Sequence, residues 1–304
     1  MPSKSSKSKF ISEKRQQQEL FSPKVLALIE HKGFKVENKL GQGSYGVVYK
    51  AMLIQTGQLA AIKVINLKSI SKKSREKYLT REIETLIKSH HPNLINVFDI
   101  FRADNKLYIF MEFAENGDIS HYRKKHNGID EKLACRWFWQ SNLGLEHLHD
   151  TLYTSHRDIK LGNILLDSDW VAKLADFGLA KQCYNPETKS NIMSRTYCGT
   201  CSYECPQILQ HHPYNGFKAD IWSMGVTLFI MVHNKKPFDK NDNKKKMLKQ
   251  MIKYYPKHLR NMYVKKDLPE TAYKLQEDML NPDEEKRAKV KDILQNEWLK
   301  RNAT

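Results

Sequence analysis

The chain has 304 residues, enough for one large domain or two modest ones, each with its own core. Apolar residues at 40% and charged residues at 28% exclude a fibrous or intrinsically disordered protein. A net charge of +17 admits an acidic partner, nucleic acid or an anionic membrane surface, although a solvated basic face is the simpler reading.

Residues 1–33 read as a basic, mobile leader, because Lys, Ser and Gln dominate and apolar spacing is irregular. No apolar stretch follows Met1, so no secretory signal is expected, and neither end carries a common lipid anchor. The longest apolar run, 221–232, is too short to cross a bilayer and reads as a buried core helix. No membrane partner and a cytoplasmic location are the expectations. Five cysteines, an odd number, fit a reducing compartment. Cys198, Cys201 and Cys205, with Cys183 upstream, raise a metal site. Zinc sites usually pair two short Cys knuckles and only one exists here, so reduced thiols are the simpler reading.

From Phe34 the pattern changes. Residues 39–50 form a β-branched and aromatic run interrupted by Gly41, Gly43 and Gly46, which predicts two strands and a flexible turn. A third strand follows at 59–65. Residues 77–89 predict a helix with Leu79, Ile83, Leu86 and Ile87 on one face, stopped by His91-Pro92. Strands are expected at 97–101 and 107–113. Beyond Gly117 the chain turns helical: 131–149 carries Leu133, Trp137, Leu145 and Leu148 at helical intervals. Short strands at 164–166 and 171–174 precede several helices from Tyr214 onward, the last spanning 290–298. A small sheet-rich half followed by a larger helical half is an α+β arrangement of two lobes.

Gly41, Gly43, Gly46 and Val48 form G-x-G-x-x-G-x-V, in which the lack of Cβ atoms lets backbone amides approach phosphate oxygens. A dinucleotide site would open a helix there, whereas a strand follows, with Lys63 in Ala-Ile-Lys 15 residues beyond Val48. His156-Arg157-Asp158, Lys160 and Asn163 come next, and Asp176-Phe177-Gly178 begins 13 residues after Asn163. In this order and spacing the set resembles the eukaryotic protein kinases, over residues 34–299.

The resemblance implies a bilobal kinase fold, with a β-rich N-lobe at 34–113, a larger α-helical C-lobe at 114–299 and a short tail at 300–304. It implies ATP and Mg²⁺ as cofactors and protein serine/threonine hydroxyls as substrates. Leu40, Gly41, Gln42, Gly43, Ser44, Tyr45 and Gly46 would cover the phosphates. Val48, Ala61 and Leu165 would sandwich the adenine, with Met111 behind it and the backbone of Glu112 and Ala114 at its edge. Lys63, held by Glu82, would grip the α- and β-phosphates, and Asn163 and Asp176 would hold the metal. Asp158 would orient the substrate hydroxyl and accept its proton, while Lys160 steadies the γ-phosphate; a lysine there resembles serine/threonine kinases. Val97, Leu86, Phe177 and His156 would form an internal column anchored by Asp220. Thr196 stands where this group carries an activating phosphate, supplied by an upstream kinase or autophosphorylation, with Arg157 and Lys181 placed to receive it. Thr200 would bond Asp158 and Lys160.

The chain departs from the family where Cys205-Pro206-Gln207 replaces Ala-Pro-Glu. The missing Glu would leave Arg287 without its counter-ion, so Gln207→Glu is expected to raise the melting temperature. Of the surface positions that select basic substrates, Asp118 is acidic, but Gly162 and Ile230 occupy two others. At most one arginine, three residues before the acceptor, is expected to matter. Residues 195–203, 219–226 and 237–249 resemble the calcium/calmodulin-dependent group, and within it the testis-specific serine kinases, which implies a role in sperm development. No calmodulin-binding segment follows Trp298, so calcium regulation is not expected. Nucleic acid is not the expected main partner. The alternative to an active kinase is a catalytically weak scaffold, motivated by Gln207 and the cysteines.

Overall fold

Ser22 followed by Pro23 is a helix start, since serine caps orphan amides and proline fixes the first helical φ. In the computed structural model, which describes residues 20–43, 46–68, 90–238, 243–264 and 267–303, this signal opens helix α1, Pro23–His31. The Ser22 hydroxyl accepts from the Val25 N–H at 3.4 Å. Phe21, Val25 and Ile29 are almost fully buried, in one core with Tyr49, Tyr108 and Phe110. Phe21 meets Tyr49 edge-on at 4.9 Å, and the Tyr108 hydroxyl donates to the Leu20 carbonyl at 2.6 Å. The expected leader over 1–33 is therefore corrected: folded chain begins at least as early as Leu20. Phe21, Val25 and Ile29 anchor it, each contributing about 1.5–3 kcal/mol by burial.

The chain divides into two compact units, one from Met1–Ser89 and Asn96–Phe113, the other from His90–Ile95 and Ala114–Thr304. Among its described residues the first unit holds α1 and an antiparallel sheet. Its strands are β1 (Phe34–Gln42), β2 (Val47–Leu53), β3 (Leu59–Asn66), β4 (Val97–Ala103) and β5 (Lys106–Glu112), in the order β1-β2-β3-β5-β4. The helix expected at 77–89, with Glu82 and Leu86, lies outside the described residues, as do Ser44 and Tyr45.

The second unit is mainly helical. Helix α2 (Ile119–Lys125) precedes α3 (Glu131–Glu146), capped by the Asp130 carboxylate, which accepts from Lys132 N at 2.9 Å. The expected helical stretch continues to Thr151, but His147–Thr151 is a π-turn. Strand β6 (Thr154–Ser155) pairs with β9 (Lys181–Gln182), and β7 (Ile164–Leu166) with β8 (Ala172–Leu174). After the short helix α4 (Pro206–Leu209) comes α5 (Gly216–His233), buried on nearly every side, as the apolar run at 221–232 required. A Cβ on Gly216 would lie 2.5 Å from Cys183 Sγ, so the start of α5 needs glycine. Helices α6 (Lys244–Leu248), α7 (Lys257–Met262), α8 (Glu270–Met279), α9 (Val290–Gln295) and α10 (Glu297–Ala303) follow. The single helix expected at 290–298 is two, because Asn296 accepts the Leu299 N–H at 3.1 Å and starts a new helix. No helix among the described residues is long and apolar enough to cross a membrane.

Candidate active site

The residues singled out in the sequence fall on both units. On the first, β1 and β2 close the glycine turn: Gly43 N–H donates to Gly46 O at 2.9 Å. A Cβ on Gly46 would lie 2.4 Å from the Val64 carbonyl, so no other residue lets β2 approach β3 this closely. Lys63 lies in β3 across from Val48 on β2 and Ile109 on β5, partly buried. Ala61 faces Met111, which also pairs with Val97. Leu40 and Gln42 are exposed on β1. The Glu112 N–H donates to Asn96 O at 2.9 Å.

On the second unit the loop after β6 is held by one buried carboxylate. Asp220, from α5, accepts His156 N–H at 2.7 Å and Arg157 N–H at 2.8 Å, and lies 2.9 Å from His149 Nε2. Arg157 adopts φ 64°, a conformation these bonds stabilise. Asp158, 6% exposed, then sits in a closed net. Lys160 Nζ donates to Asp158 Oδ2 at 2.7 Å and to Thr200 Oγ1 at 3.1 Å, and Thr200 donates to Asp158 Oδ1 at 2.9 Å. Asn163 Nδ2 donates to Asp158 O at 2.8 Å and to Oδ2 at 3.1 Å. The Thr200 contacts expected from sequence are thus formed. Ala175 N–H donates to Asn163 O at 2.9 Å, which fixes Asn163 against the start of the Asp176-Phe177-Gly178 turn. Asp176 has φ 66°, and His156 and Phe177 pack with ring centroids 5.5 Å apart. Leu165 lies in β7, bridged to Asp118, while Ala114 opens the second unit.

Thr196 is half-buried, and its carbonyl accepts the Tyr214 hydroxyl at 2.8 Å. Burial pushes the Tyr214 phenol up to about 12, while the nearby Arg157 guanidinium opposes that rise. Arg157 Nε donates to Leu179 O at 2.7 Å, but its Nη1 is buried without a partner. Tyr214 links Thr196 to Arg157, a role that sequence reasoning missed.

Two other expectations change. Ile230 is 3% exposed inside α5, so it is a core residue and offers no surface to a substrate. Asp118 is the N-cap of α2, accepting His121 N–H at 2.9 Å, so one acidic side chain already has a structural task. Arg287 lacks a counter-ion among the described residues, as expected, but it is ringed by neutral acceptors. It donates to Asn281 O at 2.8 Å, Lys218 O at 2.9 Å, Gln207 Oε1 at 3.1 Å and Pro282 O at 3.3 Å. The five cysteines are free thiols, Cys183 and Cys205 buried with their pKa raised by desolvation.

A glycine turn of the nucleotide-binding type on one unit and the His156-Arg157-Asp158 loop on the other are the marks of a phosphotransferase of the protein kinase class. The family model described as protein kinase domain matches residues 34–299, and the chain belongs to this family as an ATP-dependent protein serine/threonine kinase. It is 34% identical to mouse testis-specific serine/threonine-protein kinase 1 over 91% of this chain and 74% of that protein. It is 37% identical to human testis-specific serine/threonine-protein kinase 4 over 75% of this chain and 72% of that protein. A plant relative, CBL-interacting serine/threonine-protein kinase 7 of Arabidopsis thaliana, is 30% identical over 88% of this chain and 60% of that protein.

Proposed function

We propose that this kinase transfers the γ-phosphate of ATP to protein hydroxyls through Asp158, and that phosphorylation of Thr196 switches it on. Asp158 receives the substrate hydroxyl and its proton. Lys160, bonded to Asp158 on one side and Thr200 on the other, steadies the transferring phosphoryl group. Lys63 grips the remaining phosphates under the Leu40–Gly46 turn, and Val48, Ala61, Met111 and Leu165 enclose the base, with the backbone of Glu112 and Ala114 at its edge. Asn163 and Asp176 present oxygen donors suited to a hard divalent cation. Because the Asn163 amide nitrogen donates to Asp158, its amide oxygen is the atom that would hold the cation. Bound Mg²⁺ would neutralise phosphate charge there. Asp176→Ala should abolish transfer to a generic substrate, and undiminished transfer would make the protein something other than this enzyme.

The observation that carries the switch is the buried, unpartnered Nη1 of Arg157, coupled through Tyr214 to Thr196. A phosphate on Thr196 adds nearly two negative charges and strong acceptors, which suits this orphan donor and the Lys181 ammonium. Thr196→Ala should lower peptide phosphorylation at least tenfold relative to fully phosphorylated wild type; equal rates would overturn the switch. The testis-specific relatives support a role in sperm development, testable by whether the transcript is enriched in male germ cells. A cytoplasmic location is part of the same reading and is tested by fractionation.

A further inference from the structure

Three carboxylates line the cavity around the catalytic loop: Asp158, Asp220 and Glu204. The first two are fully engaged, as described above. Glu204 is different. Its N–H donates to Cys201 O at 3.3 Å, but its side chain has no hydrogen bond or ion pair among the described residues. Burial holds its carboxyl above the usual range, with Lys244 opposing and Asp158 reinforcing the rise. The cations around it have other partners: Lys244 Nζ lies 3.2 Å from His211 Nε2, and Lys160 bridges Asp158 and Thr200. Gly199 keeps the wall open here. A Cβ on it would stand 3.1 Å from the Arg157 carbonyl and 3.8 Å from Glu204 Oε1.

We infer that Glu204 selects a basic side chain, arginine or lysine, at a position adjacent to the phosphoacceptor. The inference rests on the reading that Asp158 receives the substrate hydroxyl. Neighbouring residues of a bound peptide have Cα atoms 3.8 Å from that of the acceptor, and Glu204 lines the same cavity as Asp158. A half-buried carboxylate without a partner gains most from a charge-assisted hydrogen bond supplied by the ligand. An apolar or acidic flanking residue would leave Glu204 desolvated and unpaired. This preference is separate from any arginine three residues before the acceptor.

The test is a set of serine peptides carrying Arg, Lys, Leu or Glu on either side of the acceptor, with protein preincubated in Mg-ATP. We expect kcat/KM for the basic residue to exceed that for leucine by about tenfold on one side, the weight of about one charge pair. In Glu204→Gln that ratio should fall to about one, and in Glu204→Lys it should invert in favour of Glu. Because each ratio is taken within one protein, poor folding of a variant scales all peptides alike. A wild type indifferent to the flanks, or a preference surviving Glu204→Gln, overturns the inference. Transfer to a generic protein but to none of the peptides overturns it too, while transfer to neither overturns the proposed function beneath it.

Discussion

Arg287 is 2% exposed, and no described carboxylate lies within ion-pairing distance of it. Desolvation lowers its pKa, yet four oxygen acceptors and the face of Trp222, 5.1 Å from the guanidinium, hold the charge in place. Gln207 contributes at both ends of its amide: Oε1 accepts from Arg287, and Nε2 donates to Pro282 O at 2.7 Å. This removes the premise that Gln207→Glu must stabilise. A carboxylate would strengthen one bond and set an oxygen against the Pro282 carbonyl, so the two effects offset, and the change should stay within about 1 kcal/mol. Gln207→Ala leaves a guanidinium N–H unsatisfied and the Pro282 carbonyl with only its 3.3 Å bond from Arg287, and should cost about 1–3 kcal/mol. Denaturant unfolding of the two variants against wild type decides between these figures. The candidate catalytic residues were legible because their identities and spacing are fixed together, whereas Gln207 and Tyr214 act through partners far away in the chain. The signal for Glu204 was a lone acid beside Cys205-Pro206, which only the cavity wall makes meaningful.

Short elements carry information that periodicity alone hides. Helix α1 was announced by Ser22-Pro23 and by Phe21, Val25 and Ile29 at four-residue steps, but the Lys-, Ser- and Gln-rich run that precedes them masked the stripe. Ile29→Ala removes a side chain that is 1% exposed and should destabilise the protein by about 2–5 kcal/mol; thermal melts would show it, and a loss below about 1 kcal/mol would mean that α1 is not part of the core. The π-turn after α3 makes a second case. His147, in this turn, stacks on His91 with centroids 5.0 Å apart. Burial lowers the pKa of both, and His147 and Lys173 lower that of His91 further. Both rings therefore lose their proton more readily in the fold than in the unfolded chain. The unfolded chain protonates near 6.5 and the folded chain only below that, so stability is full above the unfolded value and falls as pH drops through the folded ones. A His147→Gln variant should lose less of its melting temperature between pH 7.5 and 5.5 than wild type does. The hairpins of the first unit and the burial of α5 followed directly from residue pattern, since both rest on local alternation or a continuous apolar run. The break at Asn296 did not, because a side-chain cap within a helix-spaced segment leaves the pattern intact.

Over the whole molecule, 51 basic residues face 34 acidic ones, and the excess is concentrated. Residues 243–264 contain seven Lys and Arg and no Asp or Glu. Asn243 caps α6, and beyond it Lys245, Lys249 and Lys253 follow at four-residue steps, all exposed, the last two within the π-turn Lys249–Lys253. None of the three forms an ion pair with a described carboxylate; Lys253 instead lies 5.9 Å from the ring of Tyr254. Like charges four apart on a helix repel by a few tenths of a kcal/mol per pair, so this ridge works against its own helix while keeping the chain soluble. Reversing the middle charge turns two repulsive neighbours into attractive ones. Lys249→Glu should therefore raise stability by about 1 kcal/mol at low salt, with Lys249→Gln giving about half. Near 1 M salt, where screening acts over about 3 Å, the gain should vanish. A Lys249→Glu protein no more stable than wild type at low salt would show that the ridge is already relaxed by solvent. In that case the excess positive charge bears on partners rather than on the fold.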